Sequence, residues 1–245
     1  MTDPTHAKDT EASGSPAQVP FLRTVKSYVL RAGRTTVGQA KAYELYGPAN
    51  LLNYTPERWD ATAAFGRSAP LILEIGFGMG EATAHIAKVR PEDNFLCCEV
   101  HEAGVGALLK RIGEQAIQNI RILRHDAVEV IDRMLPEASL DGVHIFFPDP
   151  WHKTKHHKRR LIQAALVHKL ALRLKPGGYL HCATDWQAYA EQMMEVIGSE
   201  QLLTNTGDAA QGGYAAKPDY RPLTKFENRG LKLGHGVWDL VFRRV

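Results

Sequence analysis

The sequence lacks most of the features of secreted and membrane proteins. It has only three cysteines in 245 residues, and two of them, Cys97 and Cys98, are adjacent. This excludes a disulfide framework and a four-thiolate zinc site. No apolar run approaches the roughly 18 residues that a membrane helix needs, and the polar first residues contain no apolar stretch typical of a secretory signal. We therefore expect a cytoplasmic protein that does not associate with membranes.

Cationic residues are only slightly in excess, but they are concentrated in one segment. The chain has 30 Lys and Arg residues against 27 Asp and Glu, a net charge of +3. Five of these cations and three histidines, with no acid, lie in the basic segment, residues 151–160, WHKTKHHKRR. A local basic patch attracts polyanions such as nucleic acid. A solvated basic loop has the same composition, so charge alone leaves both interpretations open.

Two nucleotide-binding signatures are also missing. The glycine turn at residues 74–81, EIGFGMGE, has Glu81 where the dinucleotide fingerprint G-x-G-x-x-G needs its third glycine. No G-x-x-x-x-G-K-[ST] phosphate loop occurs anywhere in the chain. The glycines that are present would still let the backbone approach a ligand closely, with the N–H groups of a following helix facing it.

Apolar strand patterns and amphipathic helix patterns alternate from Pro70 onward. With 44% hydrophobic and 23% charged residues, the chain has the composition of a folded globular protein. Repeated strand–helix units predict an α/β fold: a Rossmann-like sheet, mostly parallel, with helices on both faces. The predicted strands lie in 71–75, 94–100, 120–127, 141–151, 179–185, 202–206 and 236–245, where 120–127 includes the exit loop of the third strand and 141–151 includes a Pro-rich turn after the fourth. The predicted helices are 81–89, 103–117, 128–135, 158–174 and 186–198.

Two details of this fold prediction concern the second half of the chain. KPGG at 175–178 is expected to end the fourth helix in a turn. The final strand has no room for a crossover helix before it, so we expect it to pair antiparallel.

The N-terminal residues have a different character. Residues 1–20 are rich in Thr, Ser, Ala and Pro, and we expect a disordered tail there. Residues 21–60 are expected to form an extension that packs on the main domain, with a weak helical pattern at 40–47. The main domain would then comprise residues 61–245.

A glycine turn or an acidic residue lies at the end of each predicted parallel strand. The glycine turn follows the first strand, Glu99 ends the second, Asp126 follows the third, Asp149 the fourth and Asp185 the fifth. Ligands of such sheets bind beyond the carboxyl ends of the strands. Glu99 is placed to bind both ribose hydroxyls and Asp126 to accept from an exocyclic amine, which predicts an adenosine-containing ligand. N-capping is the alternative, good for Asp185 and weak for Glu99.

Together these motifs resemble those of the bacterial tRNA (guanine-N7-)-methyltransferases, over about residues 22–245. The most specific part is FPDPWHKTKHHKRR at 147–160, whereas the glycine turn is shared with many S-adenosylmethionine-dependent methyltransferases. The other matching segments are RAGRTTVGQ at 31–39, HDA at 125–127, ATD at 183–185 and TKFE at 224–227. The resemblance implies methyl transfer from S-adenosylmethionine to N7 of a guanosine in the variable loop of tRNA.

The resemblance also implies roles for individual residues. It implies that Asp149 is catalytic and that the cofactor site comprises Glu74, Gly76, Gly78, Glu99, Asp126, Ala127 and Asp149. It implies substrate binding by Lys153, Asp185, Thr224, Lys225, Phe226 and Glu227. RNA contacts would come from Lys155, His156, His157, Lys158, Arg159 and Arg160.

Each of these assignments has a plainer alternative. Asp149 lies between two prolines and could belong to an ordinary turn, and residues 224–227 could form a surface turn. Trp151 could stack on a base or on adenine, or it could equally be a core residue. Histidines in the basic segment invite a zinc site, but no acid or cysteine accompanies them, so we expect no metal. We also see no sign of an obligate protein partner.

Two other functions compete with tRNA methylation. One is a small-molecule methyltransferase of the same fold, against which the basic segment argues. The other is a non-catalytic RNA-binding module that only senses the adenosine ligand.

Overall fold

The fold is built from short strands and helices that alternate along the chain. A computed structural model describes residues 26–29, 35–224, 227–228 and 236–245. The predicted tail and the predicted substrate residues Lys225 and Phe226 lie outside these ranges. Within them, the α-helices are α1 Val37–Asn50, α2 Ala61–Phe65, α3 Glu81–Val89, α4 Glu102–Gln115, α5 Ala127–Arg133, α6 Ala164–Arg173 and α7 Gln187–Gly198. The strands are β1 Leu51–Leu52, β2 Leu71–Ile75, β3 Asn94–Cys98, β4 Ile120–Leu123, β5 Leu140–Phe146, β6 Leu174–Thr184, β7 Leu203–Asn205 and β8 Trp238–Arg244.

In the part of the chain described, the strands form one sheet of eight, in the order β1-β4-β3-β2-β5-β6-β8-β7. Strands β1 to β6 pair in parallel, and β8 runs antiparallel to both β6 and β7. The predicted fold class and the antiparallel last strand are therefore confirmed. Because the strand order reverses at β2, which lies between β3 and β5, the fold places a ligand crevice at the carboxyl ends of these strands.

Helices cover both faces of the sheet. Strands β2 and β3 are buried along their whole length, and alternate residues point to opposite faces. Ile72 packs into the core beneath α1, α3 and α4, whereas its neighbour Leu73 packs into the core beneath α5, α6 and α7. Each fully buried aliphatic side chain of this kind contributes about 1.5–3 kcal/mol, so the two cores hold the strand ends in fixed positions.

The predicted helix over 158–174 is wrong at its beginning. A short 3-10 helix, Thr154–Arg159, comes first, and α6 begins only at Ala164. Between them the Gln163 side chain donates from Nε2 to the carbonyls of His157 and Arg160 over 3.1 and 3.2 Å. These bonds satisfy carbonyls at the end of the 3-10 helix, and the side chain of Arg160 turns inward, so the helix does not continue.

The turn predicted at 175–178 lies inside β6. Gly177 has the left-handed φ of +80° that the prediction requires. However, β6 pairs with β5 both before and after this glycine. Leu174 pairs with Leu140 and Tyr179 with Gly142. The four residues between these pairs therefore form an interruption of the strand rather than its start.

The N-terminal extension contains a longer helix than its weak pattern predicted. Thr36 caps α1 reciprocally with Gln39, because each side chain bonds the backbone N–H of the other. The helix packs closely on α4, where a Cβ on Gly113 would lie 2.0 Å from the Tyr46 ring. The domain boundary near residue 60 stays a prediction. Across the described ranges, no helix is long and apolar enough to cross a bilayer.

Candidate active site

A cavity of about 370 Å³ opens at the carboxyl ends of β2, β3, β4 and β5. This volume falls within the range of small-molecule and cofactor sites. Among its lining residues are five of the predicted cofactor residues, namely Gly76, Glu99, Asp126, Ala127 and Asp149. Strand ends that are distant in sequence thus converge on one site, as the positions of the acids after the strands predict.

The glycine turn reaches the cavity with Ile75 and Gly76. Gly76 and Gly78 have φ angles of +75° and +57°, a region that favours glycine. No atom lies within 4 Å of where a Cβ would stand on either residue, so backbone conformation rather than crowding explains the choice. Gly78 does not line the cavity itself; its N–H donates to Glu99 Oε2 over 2.9 Å.

The Glu99 carboxylate is fixed by backbone donors. Besides the bond from Gly78, its Oε1 accepts from the N–H groups of Val100 and His101 over 2.7 and 3.1 Å. An ionised carboxylate has about four acceptor sites, and three are used here. The arrangement leaves acceptor capacity for a ligand hydroxyl, and the paired ribose contacts stay a prediction.

Glu74 does not line the cavity, contrary to the cofactor contact that the resemblance implied. The residue is only 4% exposed. Oε1 accepts from the Thr83 hydroxyl over 3.0 Å, and Oε2 faces the Cys97 thiol at 3.8 Å. Burial raises the pKa of Glu74 to about 7. These contacts connect Glu74 to α3 and β3, and its carboxyl does not face the cavity.

Asp126 is already engaged by the N-terminal strap, residues 26–29. Its Oδ2 accepts from Lys26 Nζ over 2.7 Å and from the Tyr28 hydroxyl over 3.3 Å. Its Oδ1 accepts from the Val128 N–H and so caps α5. The strap lines the cavity with Ser27, Tyr28 and Val29. A ligand amine that binds Asp126 must therefore share the carboxylate with the strap or displace it.

Asp149 lies at the tip of a strained loop, residues 147–151, here called the Asp149 loop. Phe147 and Trp151 have φ angles of +50° and +46°, which non-glycine residues rarely adopt. Asp149 Oδ1 accepts from the Trp151 N–H over 3.1 Å, and Arg160 Nε donates to the Pro150 carbonyl over 2.9 Å. Since such strain persists only where the surroundings impose it, the loop holds Asp149 in a defined position at the edge of the cavity.

Trp151 contacts Arg159 with one face of its ring and the strap with its indole N–H. The Arg159 guanidinium lies 3.8 Å from its ring centroid, and its indole Nε1 donates to the Ser27 carbonyl over 3.1 Å. Arg159 in turn donates to the carbonyls of Lys26 and Tyr28 over 3.2 and 3.3 Å. Both side chains fasten the strap across the cavity.

The basic segment divides into exposed and structural cations. Lys153, Lys155 and Lys158 are exposed, and desolvation together with these neighbouring cations and Arg159 lowers the pKa of His156. Arg160, in contrast, is only 3% exposed, and it also donates to the Ala188 carbonyl and to Gln192 Oε1. The predicted RNA contact by Arg160 is therefore wrong, because its guanidinium is committed to the protein interior.

The predicted substrate residues on the other side of the site are similarly divided. Asp185 is exposed just after β6. Thr224 Oγ1 accepts from the Glu227 N–H over 3.1 Å, and the Thr224 N–H donates to Glu227 Oε2 over 3.3 Å. Glu227 itself is 3% exposed, and both of its carboxylate oxygens accept from Arg221. Direct substrate binding by the Glu227 carboxylate is contradicted by this burial.

Sequence reasoning missed the residues that hold the site together. The T-x-x-E spacing of Thr224 and Glu227 is a capping-box signature, which could have indicated their mutual bonds. Nothing local marks Arg221 or Lys26 as partners of distant carboxylates. As to metals, the residues described contain no group of three or more His, Cys, Asp or Glu side chains that could hold an ion.

Solved structures share the fold at low sequence identity. A structure titled "Structure of an Antibiotic Related Methyltransferase" matches 82% of this chain and 99% of its own, at 13% identity and a TM-score of 0.52. TrmN from Thermus thermophilus matches 84% of this chain and 48% of its own, at 14% identity and a TM-score of 0.50. These likenesses support the methyltransferase fold alone.

Sequence relatives are much closer. The tRNA (guanine-N(7)-)-methyltransferase of Paracidovorax citrulli (strain AAC00-1) is 72% identical over 100% of this chain and 97% of its own length. That of Polaromonas sp. (strain JS666 / ATCC BAA-500) is 74% identical over 91% of each chain. A family model described as "Putative methyltransferase" also matches residues 68–240. The chain therefore belongs to the tRNA (guanine-N7-)-methyltransferase family of S-adenosylmethionine-dependent methyltransferases.

Proposed function

We propose that this chain transfers a methyl group from S-adenosylmethionine to N7 of a guanosine in the variable loop of tRNA. The observation that carries the proposal is the single cavity in which Gly76, Glu99 and Asp126 meet Asp149. Exposed lysines of the basic segment follow directly in the chain. A small-molecule methyltransferase needs the cavity but has no use for this lysine cluster.

The cavity fits the methyl donor in its chemistry. The Glu99 carboxylate has an acceptor site for a ribose hydroxyl, the glycine turn brings backbone against the ligand, and Ile75, Ala127 and Val128 supply apolar surface for an adenine ring. When bound, S-adenosylmethionine supplies a methyl group on a positively charged sulfur. Glu99, Gly76 and Asp126 would hold the donor in the cavity that Asp149 also lines.

Guanine N7 carries a free lone pair, so the reaction needs no base to deprotonate the nucleophile. The task of the protein is to hold N7 in line with the methyl group, which is an orientation effect. In the proposed mechanism Asp149 accepts from the guanine N1–H or exocyclic amine and orients the base. Because methylation leaves the ring positively charged, the same carboxylate stabilises the developing charge.

Residues on both sides of the Asp149 loop would complete the substrate site. We assign to Lys153 and Asp185, both exposed, and to Thr224 a role in holding the target nucleotide. Lys225 and Phe226 belong to the same assignment from the family motif. Glu227 is assigned an indirect role, through its bonds to Thr224 and Arg221.

The exposed lysines would bind the tRNA backbone. Lys155 and Lys158 lie on the 3-10 helix that follows the Asp149 loop, so phosphate bound there would bring RNA to the cavity mouth. The target guanosine is engaged in tertiary pairing in folded tRNA, and the enzyme would have to expose it before reaction. Since the proposed substrate is tRNA, we place the reaction in the cytoplasm.

Radiolabelled methyl transfer tests the proposal directly. We expect label from S-adenosylmethionine to enter bulk unmodified tRNA and not free guanosine or other small acceptors. Nucleoside mass spectrometry should identify the product as 7-methylguanosine. Transfer to small acceptors alone would favour the small-molecule alternative, and binding of both ligands without transfer would favour the RNA-binding module.

A further inference from the structure

A buried side-chain network centred on Arg221 lies beside the Asp149 loop. The Arg221 side chain is 1% exposed. Its Nη1 and Nη2 donate to the two oxygens of Glu227 over 2.8 and 2.9 Å. Its Nε and Nη2 donate to Asp239 Oδ1 and Oδ2 over 2.7 Å each. The guanidinium of Arg221 thus makes a bidentate contact with each of two carboxylates. This geometry fixes the orientation of both carboxylates and their distances from Arg221.

Asp239 anchors this network to the sheet. It lies on β8 opposite Ala183 of β6, and its Oδ1 lies 2.7 Å from His181 Nε2. An ionised carboxylate only accepts, so Nε2 carries the proton and Nδ1 accepts from the Tyr220 hydroxyl over 2.7 Å. Burial lowers the pKa of His181. Burial alone would raise the pKa of Asp239, but hydrogen bonds from His181 and Arg221 lower it below its usual value.

The same guanidinium reaches the Asp149 loop. Arg221 Cζ lies 5.5 Å from the ring centroid of Phe147, the first residue of that loop and one of its two strained positions. The Phe147 N–H bonds the Ala183 carbonyl over 2.8 Å, on the strand pair that carries Asp239. Arg221 therefore contacts both Glu227, which is bonded to Thr224, and Phe147 of the Asp149 loop.

Stability alone does not account for a network of this kind. Desolvation of buried charges offsets most of their attraction, and apolar replacements are often neutral or stabilising. A fully bonded buried network does fix relative geometry, because each member has one arrangement that satisfies all the others. Geometry matters here because Asp149 and Thr224 are assigned to the same guanine.

We infer, on the basis of the proposed function, that Arg221 is a positioning residue for methyl transfer. It acts through Asp149 by holding the Asp149 loop and the bonded pair of Thr224 and Glu227 at a fixed separation across the base. It touches neither cofactor nor RNA. Its loss should therefore slow the chemical step without weakening the binding of S-adenosylmethionine.

A double-mutant cycle between Arg221→Met and Asp149→Asn tests this inference. We expect Arg221→Met to lower the single-turnover rate roughly 10²-fold, as a displacement of about 1 Å can do, with the cofactor Kd within about threefold of the parent's. If Arg221 acts through Asp149, the double variant should be no more than about threefold slower than Asp149→Asn alone. Arg221→Lys should not restore the rate, since an ammonium cannot make two forks.

Arg244→Met is the matched control. Arg244 is a partly buried arginine at the opposite end of β8 from Asp239, and it donates to the carbonyls of Leu172 and Leu174. It lies at the opposite edge of the sheet from the cavity. We expect this variant to lose thermal stability and to keep the parent's single-turnover rate.

Removal of Arg221 leaves two buried carboxylates without their cation, which can prevent folding. In that case the double-mutant cycle is made with Phe147→Leu in place of Arg221→Met. Phe147→Leu removes the contact between the ring and Arg221 and keeps the ion pairs of Arg221 with Glu227 and Asp239. We expect a rate reduction of about tenfold for Phe147→Leu in the parent background and no further reduction in Asp149→Asn.

The outcomes separate the two claims. The positioning role of Arg221 would be refuted if the rate reductions of Arg221→Met and Asp149→Asn multiplied in the double variant. It would also be refuted if Arg244→Met slowed the reaction as much as Arg221→Met does. Both results would leave the proposed function intact. A parent enzyme that transfers no methyl group to tRNA would refute the proposed function and this inference with it. A non-additive cycle beside an active Arg244→Met control supports the inference.

Discussion

The two halves of the candidate site are held by different means. In the cofactor half, at the ends of β2, β3 and β4, backbone N–H groups of Gly78, Val100 and His101 fix the Glu99 carboxylate. In the base half, beside β5, β6 and β8, the guanidinium groups of Arg160 and Arg221 reach across the fold. A backbone-built site tolerates changes in neighbouring side chains, whereas a site held by buried arginines depends on a few of them. We therefore expect substitutions in the two halves to affect different steps of the reaction.

The largest effect is expected for Asp149, because it acts in the base half on the transition state. Asp149→Asn keeps the shape and loses the charge, and we expect a roughly 10²–10³-fold lower single-turnover rate with tRNA and cofactor affinities near those of the parent. Asp149→Ala should be at least as slow. If the residue only caps a turn, the Asn variant would be fast, since Asn is a good turn residue. Melting temperatures measured alongside exclude loss of folding as the cause.

The second-largest effect is expected for Glu99 in the cofactor half, where it concerns cofactor binding. Glu99→Ala should weaken S-adenosylmethionine binding by about 10–100-fold, the size of a missing hydrogen bond to a charged group, and leave tRNA binding nearly unchanged. Glu102→Ala is the matched control, because Glu102 is an exposed acid on α4 that pairs with Arg124. Calorimetry that gives Glu99→Ala the parent's cofactor affinity would contradict the assignment.

Smaller, uniform effects are expected on the RNA surface. The Lys155→Gln, Lys158→Gln double variant should lower the slope of log Kd for tRNA against log salt by about 0.7–0.9 for each phosphate that is no longer neutralised. Lys88→Gln with Lys110→Gln, exposed lysines of α3 and α4, should leave the slope unchanged. Arg160→Gln should also keep the parent's slope while it slows methyl transfer. A reduced slope in Arg160→Gln would show that this residue does contact phosphate.

The smallest effect on methyl transfer is expected for Glu74→Gln, which should instead change the pH dependence of stability. Burial raises the pKa of Glu74 to about 7, so the folded state binds a proton that the unfolded state releases at lower pH. Its contribution to stability is fully present at low pH and is lost as pH rises to about 7, by about 1.4 kcal/mol per pH unit at most. Urea unfolding between pH 5 and 8 should show Glu74→Gln gaining stability relative to the parent as pH rises. A difference that stays constant with pH would contradict the buried, protonated carboxyl.

The difference between the cofactor half and the base half also explains how much of the site the sequence predicts. Glu99, Asp126 and Asp149 can be located because each follows an apolar strand, and parallel strands bring their carboxyl ends to one edge of a sheet. This sequence signal is local, so the apolar pattern of each strand is enough to locate the acid at its end. The residue roles taken from the family resemblance stay predictions, except where burial contradicts them.

Burial of charged side chains is what the sequence does not predict. The run KHHKRR suggests six equivalent solvent contacts, yet Arg160 turns inward to Pro150 and Gln192, and Arg159 fastens the strap. Arg221 lies 18 residues before Asp239, its partner on β8. Such pairs depend on the tertiary fold, and no spacing rule reports them.

The central claim is that the methyl group goes to guanine N7 at this site, and one measurement tests it most directly. A tRNA that carries 7-deazaguanosine at the variable-loop target keeps the shape of the base and lacks the N7 lone pair. In single-turnover reactions with radiolabelled S-adenosylmethionine, we expect full transfer to the unmodified tRNA and none to the 7-deaza tRNA, although both should bind equally. Transfer to the 7-deaza tRNA at the parent rate would contradict the account.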